Sequence, residues 1–301
     1  MNSNLNEKDL KGIYVPVVTP FLSNEELDLD SYRNYLEKLL AHEIQGLVIN
    51  GTTGESPTVA WEEIVQLVKA TKAIMIGREQ HIPLVIGTGT NHTLTTIQRT
   101  NMAGHIGADA VLVVTPYYNR PSEEGILEHY RRVAQVGVPV ILYEVPSRTG
   151  IRLSADIVRR ILDLNGVIGL KDSSGGIGLI SELTALDTKP VLCGEDINFH
   201  AMLSQGASGG ILASANIHTD KFIDVFRLTS KGDFVKAKRT FDSLVPLIRM
   251  LFHESNPSPL KWILTQKGII SSDTVRLPMG SITKELQLQL VAALMLLHIS
   301  F

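Results

Sequence analysis

The feature that most limits what this chain can fold into is an alternation. Eight short apolar runs, many of them rich in β-branched residues, lie at 12–21, 46–50, 83–87, 108–115, 139–145, 167–171, 189–194 and 209–214, each separated from the next by a stretch long enough for a crossover helix. Most runs are continuous rather than alternating, as strands covered on both faces must be; sandwich strands with one wet face would alternate. The stretches between them carry helical spacing. Tyr32, Tyr35, Leu36, Leu39 and Leu40 form one stripe, with Ser31 placed to cap its start, and Ile64, Leu67, Val68 and Thr71 form another.

Eight strand–helix repeats favour closure into a (β/α)8 TIM barrel, a unit of about 250 residues, over an open doubly wound sheet. The open sheet usually has fewer strands, and its dinucleotide loop is incomplete here because Gly87 and Gly89 lack a third glycine. After the eighth run only helical patterns remain, with Phe241, Leu244, Val245, Ile248 and Leu251 on one face and residues 286–297 forming another. The expected organisation is an α/β barrel over residues 1–224 followed by a C-terminal helical extension over 225–301.

Composition narrows the function. With 44% hydrophobic and 20% charged residues the 301-residue chain can bury a large core. Its 28 basic side chains are spread among 31 acidic ones for a net charge of −3, without the basic stripe that nucleic-acid binding requires. Residues 1–11 are polar and the apolar run 290–297 is too short to cross a bilayer, so the expected location is the cytoplasm, with no membrane partner. One cysteine and nine histidines without metal-ligand spacing give no support to a metal site.

In such a barrel the reactive side chains come from the C-terminal strand ends and the loops that follow. Those positions hold Thr52 and Thr53 in the turn GTTGE, Tyr117 and Tyr118 in PYYN, Tyr143 and Arg148 in YEVPSR, and Lys171, Gly194 and Ile211. No lysine other than Lys171 ends a strand-like run in this way. Burial disfavours an ammonium, and the uncharged amine is the form that attacks a carbonyl carbon. A strand-end lysine paired with Asp172 is the bland reading of the same position. Tyr143 can carry a proton or simply pack, and as a phenol it needs a relay, for which the Thr52 hydroxyl is a candidate. The GTTGE turn can hold a carboxylate through Thr53, or be an ordinary tight loop. Arg148 can clamp a second carboxylate bidentately or stand solvated. A barrel without amine chemistry, binding a phosphorylated ligand through GASGG at 206–210, is a further reading.

The motifs GTTGES, VTPYYNRPS, YEVPSRTG and GLKDSSG, with NPSPLKW and DTVRLPM near the C-terminus, resemble in order and spacing the dihydrodipicolinate synthase and N-acetylneuraminate lyase superfamily of lysine-dependent aldolases, the synthase branch above all. The resemblance spans essentially the whole chain. It implies condensation of pyruvate with L-aspartate-4-semialdehyde to 4-hydroxy-tetrahydrodipicolinate, a step of lysine and diaminopimelate biosynthesis, through a covalent imine on Lys171 and with no separate cofactor. It implies that Tyr143, Thr52 and Tyr118 relay protons, Tyr118 reaching in from a neighbouring subunit. Thr53 would hold the pyruvate carboxylate, Arg148 that of the semialdehyde, and Gly194 and Ile211 would line the lysine. The assembly it implies is a homotetramer built as a dimer of dimers.

The sequence departs from that pattern in two places. Glu144 stands where the synthases usually have asparagine, which keeps in view a sister pyruvate-dependent lyase, such as an N-acetylneuraminate or 2-keto-3-deoxy-sugar-acid aldolase or dehydratase. Pro57, Trp61, Ile64 and Thr95 occupy positions where lysine-inhibited synthases commonly place charged and imidazole groups, although Ser56, Asn91 and Tyr117 are kept. Weak or absent feedback by lysine is therefore expected.

Overall fold

In a computed structural model of the chain, which describes residues 5–186 and 188–296, eight parallel strands close into a barrel in sequence order. They are β1 (Gly12–Pro16), β2 (Gly46–Ile49), β3 (Leu84–Gly87), β4 (Ala110–Val114), β5 (Val140–Glu144), β6 (Val167–Asp172), β7 (Val191–Cys193) and β8 (Gly209–Ile211), and every one falls within its expected run except at Asp172, one residue beyond. Nearly all their residues are buried, which is why their sequences do not alternate. Leu10, Tyr14, Val48, Val85, Leu112, Ile141, Tyr143, Leu192 and Ile211 meet inside the barrel as one apolar cluster.

The glycines of the GASGG segment have a structural reason. A Cβ on Gly209 would lie 2.0 Å from the carbonyl oxygen of Gly12 across the β1–β8 seam, so the closing strands approach too closely for any side chain. Gly210 is fenced by its neighbour Leu212 at 2.8 Å. Both belong to strand β8, and at Gly209 the missing side chain serves barrel closure.

Two compact units interleave along the chain. One holds residues up to 14, 45–48 and 83–212, and so nearly all of the barrel wall with the helices from Thr93–His105 to Phe199–Ser204. The other holds residues 15–44, 49–82 and 213–296: the loops after β1 and β2, the two helices that follow them, and the C-terminal helices. The helix Thr219–Ser230 spans the position where the extension was expected to begin.

Within the second unit the first helix, Leu29–Leu39, buries Tyr32, Tyr35, Leu36 and Leu39 as the stripe predicts. Its cap is not Ser31 but Asp28, whose carboxylate accepts the Ser31 N–H at 2.9 Å, because the chain enters the helix three residues earlier. The face predicted from Phe241 to Leu251 is divided between two helices, Phe234–Asp242 and Val245–Leu251, the second opened by Pro246. Leu286, Leu290 and Leu294 repeat every four residues on the buried side of Lys284–Leu296; Leu297 lies outside the described residues. No described helix is long and apolar enough to cross a membrane.

Candidate active site

Strand β6 carries Lys171 to the end of the barrel wall, and β5 brings Tyr143 beside it. Between Val140 and Ile141 the β5–β6 ladder slips by one residue, so that Val140 pairs with Val167 but Ile141 pairs with Gly169. Side chains alternate faces along a strand, so an unbroken register would set Tyr143 opposite Leu170 and turn Lys171 away. With the slip, Tyr143 pairs with Lys171, and Nζ lies 4.2 Å from the centre of the tyrosine ring. Both side chains are buried, each 6% exposed. The ring face attracts a cationic nitrogen by about 1 kcal/mol or more once water is excluded.

Gly194, just past β7, leaves the space that the lysine stem fills. A Cβ there would stand 2.9 Å from both Cγ and Cε of Lys171 and 2.2 Å from Ser173 Oγ. Ile211, at the end of β8, packs in the same internal cluster as Tyr143. Arg148 and Tyr118 are placed differently: both are exposed, Arg148 in the one-turn helix Pro146–Thr149 that follows β5 and Tyr118 on the loop after β4, where, at φ +72°, it presents 90% of its surface.

Glu144 does not face the lysine. It follows Tyr143 on the strand and so points to the opposite face, fully buried, where its carboxylate accepts the Leu153 N–H at 2.9 Å and the Thr115 hydroxyl at 3.0 Å. Burial pushes its pKa up, and the neighbouring Asp172 carboxylate adds to the rise. Asp172 is raised by burial in the same way. Glu144 thus ties Leu153, beyond the short helix Pro146–Thr149, back to β5 on the face away from Lys171.

Thr52 and Thr53 lie in the second unit, in the turn that follows β2. The turn is tight: the N–H groups of Gly54 and Ser56 both donate to the Gly51 carbonyl, and Asn50 and Glu55 adopt positive φ of 60° and 58°. Gly54 packs against the backbone of Asn50 and Val17, where a Cβ would meet atoms at 3.2 Å. Thr19 Oγ1 donates to the Gly54 carbonyl at 2.7 Å.

Three residues that hold this turn carried no assigned role in the sequence. Asn256 Nδ2 donates to Thr53 Oγ1 at 3.1 Å. Lys261, with no exposed surface, donates to Glu55 Oε1 at 2.8 Å and to the Thr19 carbonyl at 2.9 Å, over the ring of Phe21. Burial lowers its pKa and the Glu55 carboxylate opposes that. Glu55 Oε2 accepts the Arg276 N–H at 3.1 Å, while the Arg276 guanidinium forms a two-pronged pair with Glu63. The signal in the sequence is weak: Lys261 stands between Leu260 and Trp262 and one turn before Leu264. Among the described residues no group of three histidine, cysteine or acidic side chains is placed to hold a metal ion.

A closed parallel barrel with a buried strand-end lysine against a strand-end tyrosine defines a class, the lysine-bearing α/β-barrel enzymes. Comparison with known proteins narrows it. The model of the dihydrodipicolinate synthetase family matches residues 9–296, and the chain belongs to that family. It is 39% identical to a 4-hydroxy-tetrahydrodipicolinate synthase of Thermomicrobium roseum over 95% of this chain and 94% of that one. Among solved structures it is similar to the dihydrodipicolinate synthase of Thermotoga maritima, with 33% identity and a TM-score of 0.92 over 96% of this chain and 99% of that one. The chloride-inhibited dihydrodipicolinate synthase of Acinetobacter baumannii, solved in complex with pyruvate, is 34% identical with a TM-score of 0.92 over 97% of this chain and the whole of that one.

Proposed function

We propose that this chain is a 4-hydroxy-tetrahydrodipicolinate synthase, condensing pyruvate with L-aspartate-4-semialdehyde on the way to diaminopimelate and lysine. The observation that carries the reading is the pairing of Lys171 with Tyr143: a buried amine 4.2 Å from the face of a phenol that can take and return protons. In its uncharged form the Lys171 amine attacks C2 of pyruvate, and the carbinolamine loses water to give a protonated imine. That cation lies against the Tyr143 ring face, which favours it. Loss of a proton from C3 gives an enamine, which attacks the aldehyde carbon; the amino group of the second substrate then attacks C2 and releases Lys171.

On this reading Tyr143, Thr52 and Tyr118 relay the protons, Thr53 holds the pyruvate carboxylate and Arg148 that of the semialdehyde, with Gly194 and Ile211 lining the lysine. Glu144 is bonded to Leu153 and Thr115 on the face away from Lys171, so it gives no reason to prefer a sugar-acid lyase. The exposure of Tyr118 supports a role in a neighbouring copy, within a cytoplasmic homotetramer of paired dimers; dilution to monomer then abolishes turnover. No separate cofactor is needed, because the imine itself is the electron sink. The deciding experiment is borohydride reduction with pyruvate followed by peptide mapping. The expected result is a reduced pyruvyl adduct on Lys171, and turnover with that side chain unmodified would remove the mechanism.

A further inference from the structure

We propose that Asn256 is a positioning residue for the 2-oxo acid: by donating to Thr53 Oγ1 it compels the threonine hydroxyl to donate its own proton toward the substrate carboxylate. The inference rests on the role given to Thr53 above and extends it to a residue more than two hundred positions away.

The argument is one of donors and acceptors. An amide nitrogen carries only hydrogens to give, so Thr53 Oγ1 is the acceptor in the 3.1 Å contact. A threonine hydroxyl has one proton, which is then left for a different partner. A carboxylate can only accept. Without the amide the hydroxyl is free to rotate among its staggered positions and to spend its proton on a nearby carbonyl, as Thr58 does with Glu55. Thr53 and Asn256 are both buried, 3% and 9% exposed, so water is poorly placed to take over the amide's role.

The chain fixes Asn256 for this task. It lies two residues before the helix Ser258–Gln266, and that helix is tied to the same turn by Lys261, bonded to Glu55 and to the carbonyl of Thr19. Thr19 in turn bonds Gly54, next to Thr53. The amide and the hydroxyl are therefore held from both sides by one buried network.

The test compares wild type with Asn256→Ala and the isosteric Asn256→Asp, titrating pyruvate in the borohydride trapping reaction and separating KM from kcat in turnover, with thermal unfolding to establish folding. A carboxylate at 256 accepts the Thr53 proton and turns it from the substrate, so half-saturating pyruvate rises roughly tenfold or more in N256D and about threefold in N256A. In both, kcat changes less than KM. If N256A does not fold, N256S takes its place. A merely structural contact gives the reverse order, because the isosteric aspartate preserves shape better than alanine. That order, or unchanged half-saturation in both variants while wild-type Lys171 is trapped, overturns the role of Asn256 alone. Wild type left unmodified at Lys171 overturns the proposed function and this inference with it.

Discussion

Gly194 and Lys171 share one volume: a Cβ on the glycine would stand 2.9 Å from two carbons of the lysine stem. Gly194→Ala must therefore push the stem aside or shift the backbone after β7. A displacement of about 1 Å at a reacting group can cost roughly 100-fold in rate. The expected outcome is a fall of that order in kcat/KM for pyruvate with a correctly folded protein, read by steady-state kinetics beside circular dichroism. Full activity would mean that the lysine reaches the substrate by another path.

The carboxylates behind the strand ends give stability a pH dependence of defined sign. Burial raises Glu144, with a contribution from Asp172, so the folded state holds a proton that the unfolded chain releases. Its favourable effect is present in acid, below the unfolded value, and is lost as pH rises through the folded one. Glu144→Gln keeps an acceptor for the Leu153 N–H and removes the charge. Its Tm should gain on wild type as pH climbs past the ordinary glutamate value of 4.5, with little difference below it. A Tm difference that is constant across this range would refute the assignment.

Breaking the buried Lys261–Glu55 pair leaves a carboxylate without its cation in a dry environment. Lys261→Ala should cost about 3–5 kcal/mol in denaturant unfolding. Adding Glu55→Gln to a Lys261→Met background should recover much of that loss, because no uncompensated charge then remains. Equal losses in the single and double variants would show that packing, not charge, is what the pair supplies.

Feedback is the fourth case. The resemblance to lysine-inhibited synthases sets Pro57, Trp61, Ile64 and Thr95 where charge or imidazole is expected, so a lysine entering there would lack an acidic partner for its ammonium group. Activity should persist at lysine concentrations that half-inhibit a sensitive synthase assayed in parallel. Half-inhibition at low lysine would contradict this.

What could be read from the sequence is what depends on near neighbours along the chain. Strands buried on both faces read as unbroken apolar runs, so β1 to β8 were visible, and Lys171 stood out as a charge ending such a run. The partnership of Tyr143 with Lys171 was harder, because it depends on a one-residue slip between Val140 and Ile141 that no periodicity announces. Hydrogen bonds such as Asn256 to Thr53 and Lys261 to Glu55 join residues more than two hundred positions apart. Neither partner's local pattern contains the other. The cap at Asp28 is hidden for a smaller reason: Asp28 and Ser31 both suit a helix start, and only the path of the entering chain decides between them.

The ties from Asn256, Lys261 and Arg276 to the turn after β2 bear on the order in which a working enzyme emerges during synthesis. A nascent polypeptide translated through residue 224 already contains all eight strands and the reactive amine. It still lacks every one of those three anchors, so a chain released at that length should be catalytically silent.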